Sequence, residues 1–183
     1  MEAPSFVEFK KIPRLFRECV ITEKLDGTNA QVFIDEDLNI FAGSRNRWLT
    51  IQNDNFGFAR WVTENQDELL KLGIGRHFGE WWGQGIQRGY GLNERRFSLF
   101  NTSLWSDDTV RPKCCHVVPV LYQGPFSTLV VDEVVQGLRV YGSLAVEGWS
   151  RPEGVVVFHV KGNLLFKVTL EDDGVPKSSL EKC

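Results

Sequence analysis

The pattern Lys24-Leu25-Asp26-Gly27 is the first place in the chain where residue types and spacing could do chemistry. A lysine is normally protonated, and it becomes a nucleophile when burial or neighbouring cations favour its neutral form. Lys24 ends an apolar stretch, and the glycine three residues later could let it face a pocket. On its own the pattern fits a surface lysine before a β-turn equally well.

Two glutamates and a second lysine follow in similar settings. Glu80 comes directly after a glycine and before a glycine-rich loop, and Glu153 opens an apolar stretch. Glycine beside a strand residue favours a tight site, although either glutamate could instead face solvent. Lys167 lies between apolar residues, where burial of its charge would be costly, so it either serves a site or points to solvent from an edge strand.

The elements that must position these residues are mainly strands. Alternating apolar residues predict strands over 18–24, 30–34 and 38–42, which we expect to form an antiparallel meander. Helical spacing predicts helices over 55–72 and 127–138. Further strands are predicted over 76–82, 97–101, 117–123, 155–160 and 164–169. Strands with a few helices indicate an α+β domain of mainly antiparallel sheets.

Composition narrows the class of protein. The chain has 183 residues, 42 % hydrophobic and 25 % charged, as in ordinary globular domains. Its net charge of −3 does not favour nucleic acid as a partner, so any such contact must come from a local basic cluster. Residues 1–11 contain no apolar signal core, and no apolar run reaches membrane-spanning length, so we expect a cytoplasmic protein that contacts no membrane.

Taken in order, these four patterns resemble the motifs of the covalent nucleotidyltransferases, which comprise DNA ligases, RNA ligases and mRNA capping enzymes. Residues 23–29 read EKLDGTN, with Asn29 where DNA ligases and capping enzymes usually carry arginine. Residues 79–101 read GEWWGQGIQRGYGLNERRFSLFN, which is similar to the same stretch of the bacteriophage T4 RNA ligase 2 family. The resemblance spans roughly residues 20–170 and is more specific than any one motif.

The resemblance implies an ATP-dependent RNA ligase with an ATP-grasp-like nucleotidyltransferase domain. Lys24 would form a covalent lysyl-AMP intermediate, Lys167 would contact the α-phosphate, and the enzyme would join RNA 5′-phosphate and 3′-hydroxyl ends. Glu153 and Asp26 would hold Mg²⁺ or Mn²⁺. The residues implied for ATP binding are Glu23 near the adenine edge, Asp26, Gly27, Asn29, Arg45 on phosphate, Glu80 on the ribose, Phe100 stacked on adenine, and Glu153.

Two departures from the family pattern leave alternatives open. The last motif usually holds two lysines, K-x-K, whereas Lys167 has Leu165 two residues before it and Thr169 two residues after it. The second departure is length: full ligases carry an extra domain, whereas here we expect a single adenylyltransferase domain over residues 1–183, without a C-terminal OB domain, acting as a monomer. One alternative is a catalytically reduced module with the same fold that binds nucleic-acid ends or has a regulatory role. The other is a DNA-ligase or capping-type nucleotidyltransferase.

Overall fold

A computed structural model describes residues 3–171 of the chain as two β-sheets joined by short connections. The first sheet is antiparallel throughout and has the strand order β7-β1-β8-β9. Its strands are β1 (Glu18–Lys24), β7 (Val120–Pro125), β8 (Gly154–His159) and β9 (Leu164–Thr169). The α+β class predicted from the sequence is confirmed.

The second sheet has the order β3-β2-β4-β5-β6 and is antiparallel except for the pair β5 and β6. Its strands are β2 (Thr28–Ile34), β3 (Ile40–Ser44), β4 (Gly75–Gly83), β5 (Arg95–Leu99) and β6 (Cys115–Val117). The α-helices are α1 (Phe58–Glu64), α2 (Gln66–Leu69), α3 (Thr102–Trp105) and α4 (Thr128–Tyr141), and 3-10 turns cover Leu70–Leu72 and Gly89–Gly91.

Each sheet buries one face under a helical layer. In the first sheet, Cys19 and Ile21 of β1 pack with Val135 and Leu138 of α4. The hydroxyl of Ser127 accepts a hydrogen bond from the Val130 N–H (3.2 Å), which caps the start of α4. In the second sheet, the buried face packs against the helical stretch that begins at α1. No helix within residues 3–171 combines the length and apolarity needed to cross a membrane.

The predicted meander of the first three strands is wrong, because β1 belongs to one sheet and β2 to the other. The chain changes sheet at Leu25–Gly27. Leu25 is buried there in a small cluster with Trp82, Tyr90 and Val118. Burial of this side chain between the sheets stabilises a crossover where the sequence pattern alone indicated a tight turn.

The strand predicted over 117–123 is likewise two strands in different sheets, β6 and β7. Pro119 separates them, and proline cannot donate to a β-ladder. Its carbonyl oxygen instead accepts a hydrogen bond from the Glu23 N–H (2.9 Å). The second crossover therefore lies beside the first, and both sheets end near Glu23.

The crossover at Gly27 leads to a testable prediction. A Cβ atom at Gly27 would lie 2.5 Å from the Trp81 carbonyl oxygen and 2.7 Å from the Trp82 Cβ, so Gly27→Ala must push the start of β2 away from β4. We expect a loss of about 1–3 kcal/mol in the free energy of unfolding, measured by urea denaturation. The matched control is Gly137→Ala inside α4, where an added Cβ meets nothing within 4 Å. That change should be neutral or stabilising by up to about 1 kcal/mol, and equal effects of both substitutions would contradict the prediction.

Candidate active site

Lys24 ends β1 on the face of the first sheet opposite to helix α4. Adjacent strand residues point to opposite faces, so Cys19, Ile21 and Glu23 face α4 while Lys24 faces away from it. Lys24 pairs with Gly154 in the β1–β8 register. We call the face that carries Lys24 the site face of the first sheet.

The Lys24 ammonium forms an ion pair with the carboxylate that precedes β8. Its Nζ lies 2.6 Å from Glu153 Oε2, and the Lys24 and Glu153 side chains are 24 % and 4 % exposed. A Cβ atom at Gly154 would overlap the Val168 carbonyl oxygen, so only glycine lets β9 approach the start of β8 this closely. Three adjacent strands thus bring the predicted nucleophile and the predicted metal ligand into contact.

Glu23 is buried on the opposite face from Lys24. Its carboxylate accepts hydrogen bonds from the Ser143 hydroxyl (2.6 Å) and from the N–H groups of Leu144 (2.8 Å) and Ala145 (3.1 Å). Burial raises the pKa of Glu23, and these hydrogen bonds partly offset that rise. The Glu23 carboxylate therefore fastens the end of β1 to the segment after α4, and its side chain points away from Lys24.

Glu80 lies on the second sheet, where its side chain faces Lys24 and Glu153. Asn29, its direct partner in the β2–β4 register, donates from Nδ2 to Glu80 Oε2 (3.0 Å). Burial raises the pKa of Glu80 to about 7, and the Glu153 charge adds to the rise, while Lys24 and the Asn29 and Gly27 hydrogen bonds oppose it. We call the face that carries Asn29 and Glu80 the site face of the second sheet.

Asp26 is held by two residues that the sequence reasoning did not assign to the site. The Asp26 N–H donates to the Tyr90 hydroxyl (2.9 Å), and Asp26 Oδ2 accepts from Arg88 Nε (3.0 Å). Arg88 also donates from Nη1 to the Arg151 carbonyl oxygen (3.2 Å) and from Nη2 to Glu171 Oε2 (3.3 Å). Arg88 thus ties the loop after Lys24 to the segment before Glu153, and its position inside the motif GIQRGY was the available signal.

Three predicted site residues lie near Lys24, Glu80 and Glu153 but form no hydrogen bond or ion pair with Lys24. Lys167 is exposed on β9, and its register through Val156 puts it on the site face of the first sheet. Arg45 directly follows β3, beside the end of β2 that carries Asn29, and is exposed. Phe100 follows β5 and is 43 % exposed, with its N–H donating to the Phe78 carbonyl oxygen (2.9 Å).

The carboxylates of Glu153 and Glu80 suit a divalent cation whose other ligands are water and substrate phosphate. Within residues 3–171, no three His, Cys, Asp or Glu side chains form a complete metal-binding cluster. Mg²⁺ usually takes one or two carboxylates and fills its remaining positions with water and substrate phosphates. Glu153 suits that role. Burial is the main cause of the raised pKa of Glu80, and the Glu153 charge adds to it, so a cation on Glu153 would offset that second contribution.

The raised pKa of Glu80 has a direct consequence for stability. The folded state binds the Glu80 proton more tightly than the unfolded state, whose value is near 4.5, so this contribution is present at low pH and is lost as the pH rises through about 7. Between pH 5 and pH 8 we expect the free energy of unfolding to fall by about 2–3 kcal/mol on this account. Glu80→Gln should lack this fall, as measured by urea denaturation at both pH values. An unchanged pH dependence in Glu80→Gln would refute the assignment.

Comparison with known proteins is consistent with this site. The family model described as RNA ligase matches residues 17–169, and no curated protein matches the chain. Solved structures of a Naegleria gruberi RNA ligase are similar in fold. An arginine-to-alanine variant with ATP and Mn has 22 % identity and a TM-score of 0.61, with 92 % of this chain and 52 % of that chain covered.

A glutamate-to-alanine variant of the same ligase with AMP and Mn has 21 % identity and a TM-score of 0.61. A structure of the Naegleria gruberi RNA ligase with PPi has 21 % identity and a TM-score of 0.60. These matches cover 99 % and 98 % of this chain, respectively, and 59 % of the Naegleria chain in both. The present chain therefore spans little more than half the length of the structures that it resembles.

Proposed function

Because the chain belongs to the RNA ligase family, we propose that it is an ATP-dependent RNA ligase that works through lysyl-AMP on Lys24. The observation that carries the proposal is the contact of Lys24 with Glu153, with the buried Glu80 and its hydrogen-bond partner Asn29 facing it from the second sheet. A nucleophile, a metal-binding carboxylate and a polar group for a sugar occupy one cleft, in the chain order of the motifs.

The first step is transfer of AMP to Lys24. Lys24 must first lose its ammonium proton, and Glu153 Oε2 at 2.6 Å is placed to accept it. The free amine then attacks the α-phosphorus of ATP, so that a P–N bond forms while the bond to pyrophosphate breaks. Chemistry of this kind depends mostly on positioning and on stabilisation of phosphate charge.

Two further transfers complete ligation. The 5′-phosphate of one RNA end attacks the AMP phosphorus of lysyl-AMP, which releases Lys24 and leaves an RNA-adenylate with a diphosphate bridge. The 3′-hydroxyl of the second end then attacks the RNA phosphorus, forms the phosphodiester and expels AMP. Mg²⁺ or Mn²⁺ would offset phosphate charge in these reactions.

The other residues of the candidate site take roles that follow from their positions on the two sheets. Lys167, on the same face as Lys24, contacts the α-phosphate, and Arg45 contacts phosphate of ATP or of the RNA 5′ end. Glu80 binds the ribose hydroxyls, and Phe100 stacks on adenine. Glu153 holds the metal. Asp26, which the sequence also predicted as a metal ligand, pairs instead with Arg88 and positions the loop after Lys24.

Partners and location follow from the same proposal. The partners are the 5′-phosphate and 3′-hydroxyl ends of RNA, and the enzyme acts as a monomer with one adenylyltransferase domain. The cysteines within residues 3–171, which are Cys19, Cys114 and Cys115, are free thiols. Free thiols are typical of reducing compartments, which supports a cytoplasmic location.

One observation favours a second candidate, a module that binds RNA ends without sealing them. Thr169 stands in register with Gly154 and Lys24, at a position where the last motif could carry its second lysine. A hydroxyl supplies no positive charge to the phosphates. Such a module would bind RNA ends but would not form lysyl-AMP.

Label transfer separates the two candidates. The purified chain, treated with pyrophosphate to remove any AMP already attached, is incubated with α-labelled ATP and magnesium and run on a denaturing gel. We expect a labelled band for the wild type and none for Lys24→Ala or for Lys24→Arg, which keeps the charge but not the nucleophile. A folded wild-type protein that gains no label would exclude the ligase and favour the binding module.

Arg88 should position Lys24 through Asp26. Arg88→Ala leaves the largely buried Asp26 carboxylate without its cation, so we expect label transfer to slow by roughly tenfold or more, as typical for a displaced catalytic group. Arg88→Lys keeps the charge but cannot make the three-way bridge and should be intermediate. If Arg88 acts through Asp26, the double variant with Asp26→Asn should be no slower than the slower single variant, whereas additive losses would contradict this role.

A further inference from the structure

Three aromatic side chains, which we call the aromatic surface, lie together on the second sheet: Phe33 of β2, Phe41 of β3, and Trp48. Their ring centroids are 6.0 Å apart for Phe33 and Phe41, 6.0 Å for Phe33 and Trp48, and 5.9 Å for Phe41 and Trp48. Phe41 is 43 % and Trp48 48 % exposed. Leu49, the neighbour of Trp48, is buried in the core, which turns Trp48 outward.

An arginine is held over this surface. The guanidinium carbon of Arg76 lies 4.5 Å from the Phe33 ring centroid and 5.3 Å from that of Trp48. Arg76 Nη1 also donates to Gln31 Oε1 (3.0 Å), which fixes the plane of the guanidinium. Aromatic rings and arginine planes are the two kinds of group on which unpaired bases stack in RNA-binding proteins.

The aromatic surface lies on the site face of the second sheet. Phe33 pairs directly with Arg76, just as Asn29 pairs with Glu80, and residues 29 and 33 of β2 share one face. Four residues of strand correspond to about 13 Å at 3.3 Å per residue. A strand of RNA could therefore run along one continuous face from the aromatic surface to the group beside Lys24.

The distribution of charged residues around the aromatic surface also favours binding of nucleic acid. Arg45 is exposed in the turn that connects β3 to Trp48, so a cation stands beside the rings on the side toward the site. The turn after β2 carries Asp35, Glu36 and Asp37 and bounds the surface on its far side with negative charge. Phosphate is thus attracted toward the site and repelled from the outer end of the hairpin.

We propose that the aromatic surface binds an unpaired base of the RNA strand whose end reaches Lys24. The proposal rests on the proposed function, because it takes RNA as the substrate, but it assigns a binding site apart from the ATP-binding cleft. Paired bases expose no flat face along a duplex, so single-stranded RNA should bind here and a continuous duplex should not.

The first test is binding of a 5′-phosphorylated single-stranded RNA of about 12 nucleotides, within the usual footprint of such sites. Fluorescence anisotropy with an end-labelled RNA should show an affinity roughly tenfold lower for Trp48→Ala than for wild type, since one stacked base is lost. Trp48→Phe keeps a ring and should stay within about threefold. Tyr141→Ala, which removes an exposed ring at the end of α4, is the matched control and should bind like wild type.

The second test uses the wild-type protein, so it holds even if Trp48→Ala does not fold. One base at a time is removed from the RNA by an abasic ribose. We expect one position near an end to lose roughly tenfold in affinity for the wild-type protein. Where Trp48→Ala folds, that loss should vanish in the variant. Equal affinities for Trp48→Ala and Tyr141→Ala, or an abasic scan without a sensitive position, would overturn the proposal.

Label transfer from ATP keeps this inference distinct from the proposed function. Trp48→Ala should form lysyl-AMP at the wild-type rate, because the aromatic surface is remote from Lys24. If Lys24 is labelled but RNA binding is the same with and without the Trp48 ring, the aromatic-surface proposal is wrong and the proposed function stands. If the wild-type protein gains no label from ATP, the proposed ligase function is wrong, whatever the RNA-binding measurements show.

Discussion

The register between β1 and β8 is the constraint on which the candidate site depends. Lys24 faces Gly154 across these strands, which brings its ammonium within 2.6 Å of Glu153. A slip of one residue would turn Lys24 toward α4 and expose Glu23 on the other face. The Glu23 carboxylate opposes such a slip, because it is only 1 % exposed and would lose its three hydrogen bonds to Ser143 and the two residues that follow. Glu23 thus holds Lys24 on the site face of the first sheet.

Charge balance in the cleft explains why its residues need one another. Lys24 faces two carboxylates, Glu153 and Glu80, so these three groups by themselves do not attract a triphosphate. A pKa of about 7 leaves Glu80 partly protonated near neutral pH, which lowers the negative charge and provides a donor for a ribose oxygen. A divalent cation at Glu153 would change the balance further. ATP and metal would therefore bind more favourably together than either would alone.

Much of the site could be predicted from the sequence, because each motif is local. Lys24, Glu80 and Glu153 were identified from their neighbours, and the structure brings them together. Arg88 and Ser143 were missed because their partners lie 62 and 120 residues away, at Asp26 and Glu23.

The sheet to which each strand belongs was also not predictable from alternation. The pattern from β1 to β2 is the same for a hairpin and for a crossover, and the difference lies in contacts of Leu25 and Gly27 with β4 and its neighbours. Long-range packing of this kind leaves no local signature.

The single lysine of the last motif can be interpreted from the register of β9. Thr169 pairs with Gly154, which pairs with Lys24, so Thr169 stands two strands from Lys24, about 10 Å between Cα atoms at the usual strand spacing. Lys167 lies on the same face, two residues away from Thr169 along β9, which corresponds to about 7 Å along the strand. A second lysine at 169 would have put positive charge close to the α-phosphate, and threonine can only donate a hydrogen bond there. Under the proposed function, stabilisation of phosphate charge would then come more from Lys167, Arg45 and the divalent cation. AMP transfer should therefore depend more steeply on metal than it would in a ligase with both lysines.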